Sequence, residues 1–291
     1  MRNPAVGLLE SPTYSAVRAW VDRTGRGELS ASPAVLFREE HLDNGDDVRF
    51  RWSMGRTVNW FGCCAVAPLQ EWPRRADGVA LHHVLALDLR LLAGLACGGA
   101  MATWPGFSDP LPQTGMLEVF HDLITPGTSP ADAHRGAWRV RWVPQVETGA
   151  LIPPPGDLTT AALCRRFVPQ AGFTTPPEAD VRARRVPSAR RLSRGARRLR
   201  DSLRSAWQGK KASGFSHAFG YPEMGETTSR PLVRDVLPVS AGDDHTLLLD
   251  LDLGALPGVC PRGTRLEVWM RDTDLATARF ERAWCLLRHD T

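Results

Sequence analysis

No apolar run in this 291-residue chain approaches the roughly 20 residues that a membrane-spanning helix needs. The start, MRNPAVGLLESP, lacks a basic segment followed by a long apolar core, so no signal peptide is expected. The six cysteines (Cys63, Cys64, Cys97, Cys164, Cys260, Cys285) contain no Cys-x-x-Cys spacing, which speaks against a zinc or disulfide framework. These absences lead to the expectation of a cytoplasmic protein with reduced thiols and no transmembrane segment. There is also no GxGxxG or GxxxxGK[ST] loop to cradle phosphate and no Gly-x-Ser-x-Gly elbow. RNA-stacking motifs are missing too. No catalytic residue, metal or cofactor is assigned, and the reading leans away from an enzyme.

What is present is a soluble globular composition, 43% hydrophobic and 23% charged, long enough for a substantial core. The formal charge of +4 hides an asymmetry. Residues 182–211 carry ten Arg and two Lys against the single Asp201, a net of +11, which leaves −7 for the rest of the chain. From Arg190 to Trp207, Leu192, Ala196, Leu199, Leu203 and Trp207 fall on one helical stripe among arginines. Arg190, Arg191, Arg194, Arg197, Arg198 and Arg204 form the candidate basic surface, suited to nucleic acid, an anionic surface or an acidic protein face. A solvated linker, or a helix neutralising the acidic body, is the plainer alternative.

Along the chain, Ser11-Pro12 followed by Val17, Trp20 and Val21 predicts an N-terminal helix. Ala34–Phe37 and Val48–Trp52 read as strands around the polar turn Asp43-Asn44-Gly45-Asp46. His82–Leu89, Met116–Phe120 and Trp138–Val143 read as further strands, with a helical turn after Asp88. Proline-rich residues 144–181 read as a connector with at most short strands. Leu247–Leu253, Thr264–Met270 and Ala283–Leu287 complete the strands, and Asp272–Phe280 fits a short helix.

The two ends of this succession resemble each other. HHVLALDL…TGMLEVFHDL…AWRVRWV is echoed by HTLLLDLDL…GTRLEVWMRDTDLATARFERAWCLLRH, and Phe61-Gly62 and Phe219-Gly220 precede the two copies. An internal duplication follows: a first half at about 30–150, a connector with the basic insert at 151–213, and a second half at 214–291. The expected fold class is α+β, largely antiparallel sheet with short helices, in one two-lobed domain.

The order WFG…P…EWP…DG…LALDL…LPQTGMLEVFHD…WRVRWVP, then HAFGYP…LLLDLDL…GTRLEVWMRDTD, resembles the YwqG-like family, a domain of unknown function. The resemblance covers most of the chain from about Val58, apart from the basic insert. It implies a single domain of two similar, largely antiparallel halves and carries no catalytic residue. The chain departs from that pattern at Cys63 and Tyr221, where a second glycine is usual, and at Ala86 and Asp250, where glutamine is usual.

Candidate ligand contacts are His217, Phe219 and Tyr221 on the tight His217–Pro222 loop, and the strand aspartates Asp88, Asp250 and Asp252. Buried carboxylates must be paired or shifted in pKa, which motivates the aspartates. Against this stands the plainer view that strand-end aspartates accept backbone hydrogen bonds, and that the loop is a packing corner. His82, His83 and His121 could ligate metal only if they converged, and adjacent His82 and His83 point to opposite faces. One of Cys63-Cys64 is expected to be buried as a small hydrophobe, with a nucleophile as the sharper alternative. The functional expectation is a binding protein with a protein partner, such as a bacterial immunity-type module. The alternatives are a small-ligand site or enzyme in the groove between the halves, and nucleic-acid or anionic-surface binding by residues 182–211.

Overall fold

The computed structural model describes residues 32–54, 58–98, 110–147, 149–158, 163–174, 176–177, 180, 198, 216–256, 260–261 and 263–289. The strands are β1 (Ser32–Asn44), β2 (Asn59–Phe61), β3 (Ala65–Val66), β4 (His82–Asp88), β5 (Met116–His121), β6 (Trp138–Val143), β7 (Leu151–Ile152), β8 (Leu163–Thr174), β9 (Ser216–Ala218), β10 (His245–Asp252), β11 (Thr264–Arg271) and β12 (Trp284–His289). Ten form one sheet in the order β12-β11-β10-β9-β1-β8-β2-β4-β5-β6, with every neighbouring pair antiparallel. β3 and β7 make a separate two-stranded ribbon.

The sheet curls until its ends meet. Trp138 of β6 packs edge-on against Trp284 of β12 with ring centroids 4.9 Å apart, and its indole donates to the Ala283 carbonyl at 3.1 Å. The loop after β5 takes up the outer edge of β12. Leu287 N donates to Pro126 O at 3.0 Å, and the Trp284 indole donates to Gly127 O at 2.7 Å. Gly127 has φ +73°, and a Cβ there would sit 1.9 Å from the Cys285 carbonyl oxygen, so only glycine fits this seam.

These observations correct the α+β expectation. The protein is mostly sheet, a nearly closed barrel-like antiparallel surface, with five short helices among the described residues. They are α1 (Gly45–Ser53), α2 (Leu89–Gly98), α3 (Pro130–His134), α4 (Glu226–Val236) and α5 (Asp272–Ala276). The physical reason lies in the strands. β4, β5, β10 and β11 bury nearly every residue, so both faces of the sheet need cover. Curling supplies one cover from the sheet itself. Val35, Phe37, Phe61, Leu85, Leu117, Val140, Phe167, Leu249, Val268 and Leu287 share one apolar interior.

Three local readings are also corrected. Residues 48–52 are helical, because Asn44 caps α1: its Oδ1 accepts from Asp47 N at 2.9 Å, and Asp47 reaches back to the Asn44 amide. Val48 and Trp52, four apart, are buried, whereas Phe50 is 65% exposed. Replacing Asn44 with alanine is expected to lower stability by about 1 kcal/mol, read as a shift in the urea midpoint at unchanged slope.

Second, the proline-rich stretch contains β8, twelve residues long and central to the sheet. Pro169 is tolerated because β2 pairs only with residues 165–167 of β8, so no β2 ladder bond is lost at 169. Third, the helix expected over 272–280 stops at Ala276, and a 3₁₀ turn follows at Phe280–Arg282. The expected N-terminal helix lies outside the described residues. So does the basic helix, apart from Arg198, which is exposed.

The strand order reads the same way outward from the central β1–β8 pair. β9, β10, β11 and β12 on one side stand where β2, β4, β5 and β6 stand on the other. Ala86 faces Glu118 across β4–β5, as Asp250 faces Glu267 across β10–β11. Each inner strand has a bulge at the matching place, between His83 and Leu85 and between Leu247 and Leu249. The loops before the two copies match with an offset of one residue. Gly62 N donates to Val84 O and Phe219 N to Leu248 O, so Gly62 corresponds to Phe219 rather than to Gly220. The positive-φ pairs are accordingly Gly62-Cys63 and Phe219-Gly220.

Candidate functional site

Charged side chains gather on the outer face of each half. In the Leu-Glu-Val segment of β5, Leu117 and Val119 point into the apolar interior, so alternation sends Glu118 outward beneath the β3–β7 ribbon. There it is fully buried. Oε1 accepts from Val66 N at 2.8 Å and lies 3.2 Å from His83 Nε2, while Oε2 accepts from Arg141 Nε at 2.6 Å. The remaining Arg141 donors bond the Pro68 and Val66 carbonyls at 2.8 and 2.6 Å. His83 Nδ1 donates to the Gly62 carbonyl at 2.9 Å.

In the second half Glu267, between interior Leu266 and Val268, points under α4. It accepts from the Ser229 hydroxyl at 2.9 Å and the Trp269 indole at 3.0 Å. Burial, reinforced by the Asp250 charge, pushes its pKa up to about 7 against the opposing pull of Trp269, Arg288 and Ser229. Asp250 accepts from Arg265 Nε and from Glu223 N, both at 2.7 Å, and lies 3.6 Å from His217 Nε2. His217 Nδ1 donates to the Phe219 carbonyl at 2.7 Å.

Of the residues singled out from sequence, His217 and Asp250 come together, while Asp88 and Asp252 each serve their own half. Asp88 Oδ1 accepts from Arg90 N at 2.9 Å, and Asp252 Oδ1 accepts from Gly254 N at 2.9 Å. Each carboxylate thus caps the turn that leaves its strand. Their own amides are held alike, by Asn59 Oδ1 at 2.7 Å and Ser216 Oγ at 2.9 Å. Phe219 is buried in the apolar interior, and the Tyr221 amide donates to Thr174 Oγ1 at 2.7 Å. His82 sits opposite His121 in the ladder, and burial lowers the pKa of both, that of His121 to about 4. His121 Nδ1 accepts from Leu123 N at 2.8 Å, and its ring stacks on Trp138.

Sequence reasoning passed over four residues: Glu118, Glu267, Asp180 and Cys164. The two glutamates had a signal, a charge recurring inside the same apolar strand of both copies. Asp180, fully buried, caps α4 by accepting from the amides of Glu226 and Thr227 at 2.8 Å each. No local pattern announces it, because Gly225 at the helix start has no side chain to do so.

Cys164, from β8, meets Cys63 and Cys64 just beyond β2. The Cys63 and Cys64 sulphurs are 3.0 Å apart, and the Cys164 thiol hydrogen-bonds to both. Those donors, with His83 and Arg49 nearby, outweigh burial and hold the Cys64 thiol down to about 3. For Cys63, the Cys164 hydrogen bond pulls downward. The bond to Cys64, burial and the Cys64 charge prevail and push it up to about 12. Among the described residues, no group of three or more His, Cys, Asp and Glu is disposed to hold a metal ion.

These features define a class: a nearly closed antiparallel sheet with a filled interior and one buried charged knot on the outer face of each half. The chain belongs to the family described as a domain of unknown function, DUF1963, which it matches over residues 61–288. No curated protein matches it. No helix among the described residues is long and apolar enough to cross a membrane.

Proposed function

We propose that this protein is a YwqG-like binding protein, a single cytoplasmic domain of two duplicated lobes that docks an acidic protein face through residues 182–211. The observation that carries the reading is the charge division, +11 in that segment and −7 elsewhere. A segment so basic attracts an acidic surface and accelerates encounter with it. The described body supports the same reading through how it uses its own carboxylates. Glu118 is taken by Arg141, Asp250 by Arg265, and Asp274 by Arg271 at 3.1 Å and Arg282 at 3.5 Å. Those carboxylates are committed and do not offer themselves to the basic segment. An immunity-type role for this chain, with a protein partner that presents an acidic face to be neutralised, fits this chemistry.

A ligand groove between the halves gains no such support, since Phe37, Phe61, Phe167 and their neighbours fill the space with apolar side chains. The test compares the full chain with a variant lacking residues 182–211 on immobilised polyglutamate, heparin, duplex RNA and anionic vesicles. Retention on polyglutamate that falls with salt and disappears on deletion is expected. Unchanged retention after deletion would overturn the proposal, and stronger retention on heparin, RNA or vesicles would replace the protein partner with a phosphate- or sulphate-bearing one.

A further inference from the structure

We propose that Cys63, Cys64 and Cys164 form a thiol-oxidation site, in which Cys64 reduces a small hydroperoxide and Cys164 resolves it as an intramolecular disulfide. The site is independent of the basic segment and of the binding function assigned to it. Three sulphurs converge from two places in the chain, a loop beyond β2 and the first residues of β8. Gly45, the first residue of the nine-residue helix α1, closes over them. A Cβ on Gly45 would lie 2.8 Å from the Cys64 sulphur and 3.1 Å from that of Cys63. Gly45 lies outside the left-handed region, so its missing side chain serves close approach to the sulphurs. The N-terminal end of α1 therefore abuts a thiol group, an arrangement that favours thiolate.

The plainer reading treats all three as small core hydrophobes. Cys285 supplies the comparison within the same molecule. It is equally buried, in the apolar interior, and burial alone raises its pKa. Cys64 differs in having two thiol donors, His83, Arg49 and the α1 terminus around it. Residual exposure of 5% at Cys64 and 7% at Cys63, against 0% at Cys164, admits a small oxidant to the two adjacent sulphurs, and the α1 terminus, nearer to Cys64 than to Cys63, selects Cys64 between them.

The chemistry balances with a hydroperoxide as the oxidant. The Cys64 thiolate attacks the terminal peroxide oxygen, an S–O bond forms and the O–O bond breaks. The departing alkoxide takes a proton, leaving an alcohol, or water from hydrogen peroxide, and a Cys64 sulfenic acid. The Cys164 sulphur, having given up its proton, attacks the sulfenic sulphur; an S–S bond forms and the hydroxyl leaves as water. Two thiols lose two electrons and the hydroperoxide gains them. An external dithiol restores the pair by exchange. Cys164 rather than Cys63 is the resolving thiol because consecutive Cα atoms are about 3.8 Å apart, short of the usual 4.4–6.8 Å of a disulfide.

The test needs no variant in its first arm. The reduced full chain is treated with limiting hydrogen peroxide at about pH 5, where a thiolate stands out from ordinary thiols, and mapped without reduction. A Cys64–Cys164 cross-link is expected, with Cys64 consumed at least tenfold faster than Cys260. Cys260 is more exposed than Cys64, but burial raises its pKa to about 11. In Cys164→Ser, a dimedone adduct should accumulate on Cys64. Oxidation of Cys260 before Cys64, or Cys64 as inert as Cys285, would overturn the site. A Cys63–Cys64 linkage would overturn Cys164 as the resolving thiol.

Discussion

Replacing Glu118 with alanine is expected to cost about 3–5 kcal/mol, a large share of the 5–15 kcal/mol that holds a typical domain together. The magnitude comes from what is left behind. Glu118 is the common acceptor for Arg141 and for the Val66 amide and lies 3.2 Å from His83 Nε2, with no water exposure on its own side chain. Removing it strands a guanidinium whose side chain is 15% exposed, together with a buried backbone donor. The β3–β7 ribbon is tied to the barrel through these same bonds, since Val66 belongs to β3. Loss should therefore appear both in the denaturation midpoint and as faster amide exchange at Ala65–Val66. Replacing both partners, Glu118→Leu with Arg141→Met, is expected to cost clearly less than the sum of the single changes, because no charge is then left unpaired. Equal additivity would show that the pair carries no coupling and that the cost is a packing loss.

The strands that build this site were readable because their pattern repeats. HHVLALDL and HTLLLDLDL declare β4 and β10, and the two Leu-Glu-Val segments declare β5 and β11. What the pattern concealed was which charged residue mattered. Asp88 and Asp252, at strand ends, attract attention and turn out to cap their own turns. Glu118 and Glu267, in mid-strand, hold the knots. A mid-strand charge between two interior residues must face the other side, and only the cover on that side decides its fate. The ribbon and α4 provide that cover, and neither can be placed from local sequence.

Helix α1 was hidden for a different reason. Val48-Arg49-Phe50-Arg51-Trp52 alternates apolar and charged like a half-buried strand, and the Asn44–Asp47 capping box is what settles the matter. Strand β8 was obscured by Pro169 within it and by the prolines around it, although Pro169 lies beyond the residues that pair with β2. The thiol cluster depends on that strand: 100 residues separate Cys64 from Cys164, and only the β2–β8 pairing brings them together. Contacts of this range carry no local signature.

The second large effect concerns pH, and it opposes two buried groups. Glu267 is held at about 7 against an ordinary 4.5, chiefly by burial and then by Asp250. Its raised pKa means the folded state binds the proton more tightly. The stability it supports is complete below pH 4.5 and is lost as pH rises through 7, about 3 kcal/mol at 1.36 kcal/mol per pH unit. His121 works in reverse. Burial first, and His82 after it, depress its pKa from 6.5 to about 4 despite Asp122. Its stabilising contribution is present above pH 6.5 and lost as pH falls through 4, again about 3 kcal/mol.

Between pH 4.5 and 6.5 the two slopes nearly cancel, with the depressed His82 tilting the balance slightly toward greater stability at higher pH. The acidic side chains held low, such as Asp77 and Asp243, add nothing there because their ordinary value is 3.8. A nearly level stability curve is therefore expected for the native chain, and its flatness conceals the opposition. Glu267→Gln keeps an acceptor for Trp269 and removes the ionisation. Its stability should climb with pH through the whole window and exceed the native protein by up to about 3 kcal/mol above pH 7. His121→Asn keeps an acceptor for the Leu123 amide, and its stability should fall with pH over the same range. Urea denaturation of the three proteins across pH 4–8 reads both slopes. If the native chain and Glu267→Gln climb with pH alike, the Glu267 carboxyl is ionised throughout, and Arg288, Ser229 and Trp269 outweigh its burial.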